Sequence, residues 1–315
     1  MPVDREPNQV TTAAGTVIVP TDLTVVPERH IGRWVSAALS LIILFYVVRA
    51  FATNDRIVLS AIPEYLFSAP ILAGAMNTIV LAVLAQAVGI VLGIIIAVMR
   101  MSKNPVIGSI SWLYVWFFRG TPLLVQLIFW FNLGLIFDRV QITIPFVDFT
   151  VFSQDTNDLI TPFAAALLGL ALNEGAYMAE IVRGGLLAVD HGQVEAAHAL
   201  GMRPIATLRR IILPQATRTI IPPTGNEFIN MLKTTSLASV IAYADLLSGA
   251  KQIYNQNLLT LELLLVASIW YIAMTSVLSV GQFYLERHYS RGTQGTSSAS
   301  LLQVWKRLLR LKKGA

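Results

Sequence analysis

Residues 71–99 read ILAGAMNTIVLAVLAQAVGIVLGIIIAVM, 29 positions without a charge. An α-helix rises 1.5 Å per residue, so about 20 apolar residues cross the hydrocarbon core of a bilayer. Buried helices of soluble proteins are rarely so long and so free of charge, and this stretch reads as a membrane span. The 315 residues are 55% hydrophobic and 13% charged, whereas soluble domains carry about 25% charged residues. That is too little polar surface to solvate a globule of this size. Soluble enzymes, disordered chains and fibrous chains are excluded together. The chain has no cysteine, which excludes disulfide scaffolds, thiolate metal sites and thiol nucleophiles.

Five more stretches are candidate spans: 34–53, 121–137, 162–182, 217–235 and 262–283. The stretch 217–235 is the weakest, because it carries Pro222, Pro223, Glu227 and Lys233. The expected fold class is all-α integral membrane, with six transmembrane helices. Residues 34–53 end in AFA, which resembles a signal-peptide cleavage site, but the apolar run is longer than a usual signal core. The segment reads as a retained helix. With the N-terminus in the cytoplasm, 17 of the 23 Lys and Arg fall in cytoplasmic segments. Three (Arg56, Arg139, Lys251) fall outside, and Arg49, Arg119 and Lys233 sit at span edges. This bias puts both termini inside. The net charge of +5 then belongs to membrane loops, and nucleic acid is not an expected partner.

Residues 1–33 read as a flexible cytoplasmic lead and 34–53 as an extra helix before the main body, 71–288. Residues 138–161 form an outer loop rich in Asp and β-branched residues. The segment 289–315 reads as a basic cytoplasmic tail. In it, a Ser/Gly/Thr linker (290–300) leads to LLQVWKRLLRLKK (301–313), whose apolar and basic residues recur at helical spacing and suit the inner leaflet of lipid. A solvated basic tail is the alternative.

The longest inner segment contains EAAHALGMRPIATLRRIILP (195–214). EAAHAL reads as a short helix with Glu195 near its start, where the helix dipole favours a carboxylate. Gly201 is expected to end it in a left-handed turn. Arg203, Arg209 and Arg210 add positive charge. Glu195, Ala196, Ala197 and Gly201, followed at fixed spacing by Ile211, Leu213 and Pro214, fit the EAA pattern of ABC importer membrane subunits. Further stretches, FFRGTPLLVQL (117–127), NEGAYMAEIVRGG (173–185), LPQATR (213–218) and NEFINMLKTTSLASVIAYADLL (226–247), resemble the polar amino acid permease family of ABC importers, the histidine/glutamine/arginine group.

The resemblance covers about 71–288 and implies a five-helix type I ABC importer permease core; the helix 34–53 is an addition to it. It also implies ATP-driven import of a polar amino acid across the bacterial cytoplasmic (inner) membrane. The implied partners are cytoplasmic ABC ATPase subunits, a homo- or heterodimeric permease partner, and an extracytoplasmic solute-binding protein. The helix that carries Glu195, Ala196, Ala197, Gly201 and Arg203 would couple the chain to the ATPase. The chain would be no enzyme and would carry no cofactor, since ATP would bind the partner subunit. It contains no P-loop, HExxH or GxSxG. His30, His191, His198 and His288 are not clustered and do not read as metal ligands.

Asn226, Glu227, Asn230, Thr234, Thr235 and Ser236 are the expected substrate path. Pro222 and Pro223 are expected to break the helix before them, and broken helices with polar groups at membrane depth are tolerated where they line a cavity. The resemblance places Glu227 at the substrate site, holding an amino group or a cationic side chain. The alternative is a structural acid satisfied by Lys233 or Arg119. FRGTP puts Arg119, Thr121 and Pro122 at the start of the third span, as a simple helix start or as part of an inner gate. Glu174 and Glu180 are intramembrane carboxylates, and Glu180 and Arg183 are spaced to pair. Gly89 with Gly93, and Gly175, Gly184 and Gly185, permit close helix contact. An ion-coupled secondary transporter, with Glu174, Glu180 and Glu227 as proton or sodium sites, is the competing function.

Overall fold

The computed structural model describes residues 9–12, 15–18, 31–54, 57–144 and 149–289. The basic tail beyond Tyr289 lies outside the described residues. The chain divides into two units, Met1–Ile57 and Val58–Ala315. In the first, strands β1 (Gln9–Thr12) and β2 (Gly15–Ile18) pair antiparallel. Helix α1 (Ile31–Ala52) has 22 residues, about 33 Å. It is apolar on all sides, and Trp34, Leu41, Phe45 and Tyr46 are all exposed. Such a surface suits lipid rather than water.

The second unit is a helix bundle around α3 (Ala69–Arg100) and α7 (Pro162–Leu187). Both start with a proline in the first turn, where its missing N–H is no loss. Gly89 and Gly93 of α3 face α7 so closely that a Cβ on Gly89 would overlap Glu174 and one on Gly93 would overlap Met178. The paired glycines therefore act as a packing groove. Gly175 abuts Tyr114 and Leu92, and Gly185 abuts Ile220. Gly184 faces open space, contrary to expectation; it lies one residue, about 100°, away from the face that Gly185 presents. Gly93→Leu is thus expected to destabilise the protein by about 2–3 kcal/mol, and Gly184→Leu by less than about 0.5 kcal/mol. Thermal unfolding in detergent checks this, and equal losses in the two variants would contradict the packing assignment.

Around this pair lie α2 (Ala61–Tyr65), α4 (Pro105–Gly120), α5 (Leu123–Phe131), α6 (Thr156–Leu159), α8 (His191–Ala199), α9 (Pro204–Thr207), α10 (Leu213–Thr234), α11 (Leu246–Asn257) and α12 (Thr260–Tyr289). Ile71, Leu81, Leu127, Leu170, Leu246 and Leu263 form the centre of the core. Among the described residues, four helices are long and apolar enough to span a membrane: α1, α3, α7 and α12. The pair α4 and α5 makes a fifth if counted together. The sixth expected span is α10. It has 22 residues but is polar, as its sequence foretold.

Two expectations need correction. The span expected at 121–137 is instead α4 and α5 meeting at a bend of 102°. Pro122 causes the break, because it has no N–H to offer the carbonyl of Phe118 four residues earlier. Thr121 accordingly ends α4 and Pro122 opens α5, rather than both starting one long helix. Second, α10 runs unbroken through Pro222 and Pro223. Thr224 Oγ1 donates to the carbonyl of Ile220 at 2.8 Å, and Gln282 Nε2 from α12 donates to that of Pro222 at 2.7 Å. Gln282 reaches in because Gly225 has no side chain in its way. The change of winding comes later, where Thr235–Ile241 tightens into a 3-10 turn closed by left-handed Ala242. The stretch 138–161, expected as an outer loop, carries a hairpin, β3 (Arg139–Ile144) with β4 (Phe149–Asp155), bulged between Ile142 and Thr143. Its β-branched residues favour strand over coil.

Candidate functional site

A cavity of about 360 Å³ opens between α5, α7, α10 and the 3-10 turn. This lies in the size range of small-molecule sites. Leu170, Asn173, Glu174 and Tyr177 line it from α7, and Glu227, Asn230, Met231 and Thr234 from α10. In each helix these residues fall at i, i+3, i+4 and i+7, one face of an α-helix. Leu123 and Leu237 complete the wall.

The expected path residues divide by that geometry. Glu227, Asn230 and Thr234 line the cavity. Asn226 is exposed and outside the wall, because it sits about 100° around the helix from Glu227. Thr235 is fully buried and donates its hydroxyl to the carbonyl of Leu232 at 2.8 Å, in the first turn of the 3-10 segment. Ser236 is likewise outside the wall. Glu174, read from the sequence as an intramembrane carboxylate of gate or structural role, or as an ion site in the competing function, belongs to the cavity. The i, i+3, i+4, i+7 spacing of LNEGAYM with Leu170 was the signal for it.

Two carboxylates and no Lys or Arg line this cavity. Lys233 is exposed and outside the wall. Arg119 lies over the ring of Tyr177, 5.1 Å from its centroid, in a cation–π contact. It stands within electrostatic reach of Glu227, but among the described residues neither Arg119 nor Lys233 forms an ion pair with that carboxylate. Glu180 and Arg183 do pair, at 2.6 Å, away from the cavity wall.

The helix break beside the cavity is held by two amides. Asn173 Nδ2 and Gln126 Nε2 both donate to the carbonyl of Phe118, at 2.8 and 3.0 Å. This is the carbonyl that Pro122 leaves without its helical partner. Gln126 also donates to Thr121 Oγ1 at 2.7 Å. Asn173 thus serves both the cavity wall and the bend.

The second candidate surface is α8. It begins at His191, capped by Asp190, whose side chain accepts from Gly192 N. Glu195 therefore sits mid-helix rather than in the first turn, and the dipole argument applies to Asp190 instead. At the other end Gly201 has φ 71°, the left-handed conformation the sequence calls for. Gly201 N donates to the carbonyl of His198 and Met202 N to that of Ala197, the two bonds of a Schellman motif. Ala197 is buried, while Glu195 and Ala196 are exposed. Leu200 is 82% exposed and Ile205 78% exposed, flanking the turn with apolar side chains in the open. The sequence reading passed over this pair. A π-turn, Leu208–Ile212, then joins α9 to α10 and Gln215 Nε2 donates to Gln193 Oε1 at 2.6 Å, tying α8 to α10.

Residues 89–291 match the family of binding-protein-dependent transport system inner membrane components. The match takes in well over half of the chain. The chain belongs to this family. Among its relatives, the arginine transport system permease protein ArgU of Corynebacterium glutamicum is 45% identical, the alignment covering 90% of this chain and 88% of that one. The glutamine transport system permease protein GlnP of Escherichia coli strain K12 is 35% identical over 69% and 91% of the two chains. A crystal structure of an amino acid ABC transporter with histidines superposes with TM-score 0.60 at 36% identity, covering 70% of this chain and 94% of that one. The MetNI methionine transporter, at 15% identity and TM-score 0.55, shares the fold.

This inner membrane component thus carries its cavity and α8 within the matched residues. Helix α1 lies before them. The alignment with ArgU leaves at most about a tenth of this chain uncovered, so it reaches α1. The aligned residues therefore include part of α1.

Proposed function

We propose that this inner membrane component is the membrane-spanning subunit of an ATP-driven importer of polar amino acids. The substrate passes the cavity between α7 and α10. Glu227 holds its ammonium group or a cationic side chain, and the amide of Asn230 beside it meets its carboxylate, with Thr234 forming the next part of the wall. Arg119, at the cavity's edge on the bent pair α4–α5, positions the inner gate. Arginine and glutamine relatives support the substrate class, and the lining of carboxylates, amides and a hydroxyl suits a zwitterion.

The chain binds no ATP. Two cytoplasmic ABC ATPases hold α8 and its turn through Glu195, Ala196, Ala197, Gly201 and Arg203. The observation that carries this reading is the Schellman end of α8, which leaves Leu200 and Ile205 exposed together. Apolar side chains displayed this way on a rigid turn are suited to a partner's groove. Closure of the ATPases pulls α8, and the Gln193–Gln215 bond passes the movement to α10, which lines the cavity. A second permease chain, identical or related, completes the path. An extracytoplasmic solute-binding protein delivers substrate, and both termini lie in the cytoplasm.

Co-purification in mild detergent tests the partner assignment. An ATPase is expected to stay bound to the wild-type chain and to be lost when Leu200 and Ile205 are both replaced by Asp. Retention by that double variant would remove α8 from the interface.

A further inference from the structure

We propose that Glu174 is a second specificity-determining carboxylate, which together with Glu227 makes the cavity select amino acids that carry a side-chain cation besides the α-ammonium group. This rests on the reading of the cavity as the substrate path. Glu174 on α7 and Glu227 on α10 line the same cavity, and the wall has no Lys or Arg to balance them. Lys233 lies outside it, and Arg119 is stacked on Tyr177 at its edge. Arg119 is held over Tyr177 and, among the described residues, forms an ion pair with neither carboxylate. Two carboxylates facing one cavity repel, and a ligand bringing positive charge offsets this. A neutral amino acid brings one positive group. One with a guanidinium or side-chain ammonium brings two, one for each carboxylate. Its own carboxylate then meets the amide of Asn230 in the wall, since Asn173 Nδ2 is committed to Phe118 and Gln126 and the Thr234 hydroxyl to the carbonyl of Asn230.

An independent observation marks Glu174. It is 5% exposed, and Gln86 of α3, also 5% exposed, donates Nε2 to its Oε1 at 3.1 Å. Gln86 Oε1 is buried without a hydrogen-bond partner. Protein interiors seldom leave such an atom unpaired. The amide is held there against Glu174, fixing the carboxylate's orientation from behind the cavity wall. A planar guanidinium, with its donors in a fixed fork, matches a carboxylate held in one orientation. Glu174 is therefore assigned to the side-chain cation and Glu227 to the α-ammonium group.

The test is equilibrium binding of radiolabelled arginine and citrulline to the importer complex in nanodiscs, without the binding protein. Citrulline has the same length but an uncharged ureido group in place of the guanidinium. The wild type is expected to prefer arginine by about tenfold or more, the worth of one charged hydrogen-bonded contact. Glu174→Gln is expected to weaken arginine until the two ligands bind within about twofold, with citrulline unchanged, while Glu227→Gln weakens both. Gln86→Leu, which keeps the carboxylate and removes its brace, is expected to lower the preference by about threefold, and it stands as the test if Glu174→Gln fails to assemble. Wild-type preference retained in Glu174→Gln or in Gln86→Leu, or equal weakening of both ligands in either, overturns the assignment of Glu174. Binding of both ligands unaltered in Glu227→Gln overturns the cavity reading beneath it, as does a wild type that binds neither.

Discussion

Gly201→Val is expected to leave the protein inserted and folded but to lower ATP-driven uptake by about tenfold, whereas Gly201→Asn keeps most of it. A Cβ at this position would meet nothing within 4 Å, so crowding cannot explain a loss. The backbone conformation can. At φ 71° an L-residue pays roughly 1–2 kcal/mol, more when β-branched, and Asn tolerates the region through local hydrogen bonding. About 1.4 kcal/mol is a factor of ten in the population of the Schellman end. With that end lost, Leu200 and Ile205 no longer project together. Uptake in proteoliposomes, alongside the amount of inserted protein, checks the pair. Equal activity in the Val and Asn variants would show that the turn's geometry does not matter to coupling.

Glu227→Ala is expected to reduce uptake by a factor between about 10 and 150, the range of one charged hydrogen-bonded contact, for cationic and neutral amino acids alike. Asn226→Ala, one residue away, is expected to leave uptake unchanged, because Asn226 faces away from the cavity. A merely structural role for Glu227 would lower the amount of folded protein and leave uptake per folded transporter intact. Uptake normalised to the folded fraction separates the two. A loss in Asn226→Ala as large as in Glu227→Ala would move the path to another face of α10.

The spans were legible where one physical rule acted alone. In α3, length, lack of charge and a first-turn proline all agree. The paired Gly89 and Gly93 announced a close helix contact but not that α7 is the partner. The sequence reading failed where two rules competed. FRGTP holds a proline that can either start a helix or end one, and the choice depends on Asn173 and Gln126 being near enough to take up the carbonyl of Phe118. Those residues lie 55 and 8 positions from that carbonyl along the chain. Pro222 and Pro223 looked like a break, yet α10 runs through them, packed along α12, where Gln282, sixty residues away, bonds the carbonyl of Pro222. Local sequence does not contain such partners. The cavity was half legible. The α10 face followed from the polar residues around Glu227, but the 3-10 turn that buries Thr235 has no composition of its own. Glu174 was visible as a costly residue, and its role needed the facing helix.

ATP dependence tests the central claim most directly. The chain, reconstituted in proteoliposomes with its ATPases and binding protein, is expected to accumulate amino acid only with ATP inside the cytoplasmic compartment, and to continue when ionophores collapse the proton and sodium gradients. Accumulation by the chain alone, driven by either gradient without ATP, would contradict the account and make Glu174 and Glu227 ion-coupling sites of a secondary transporter.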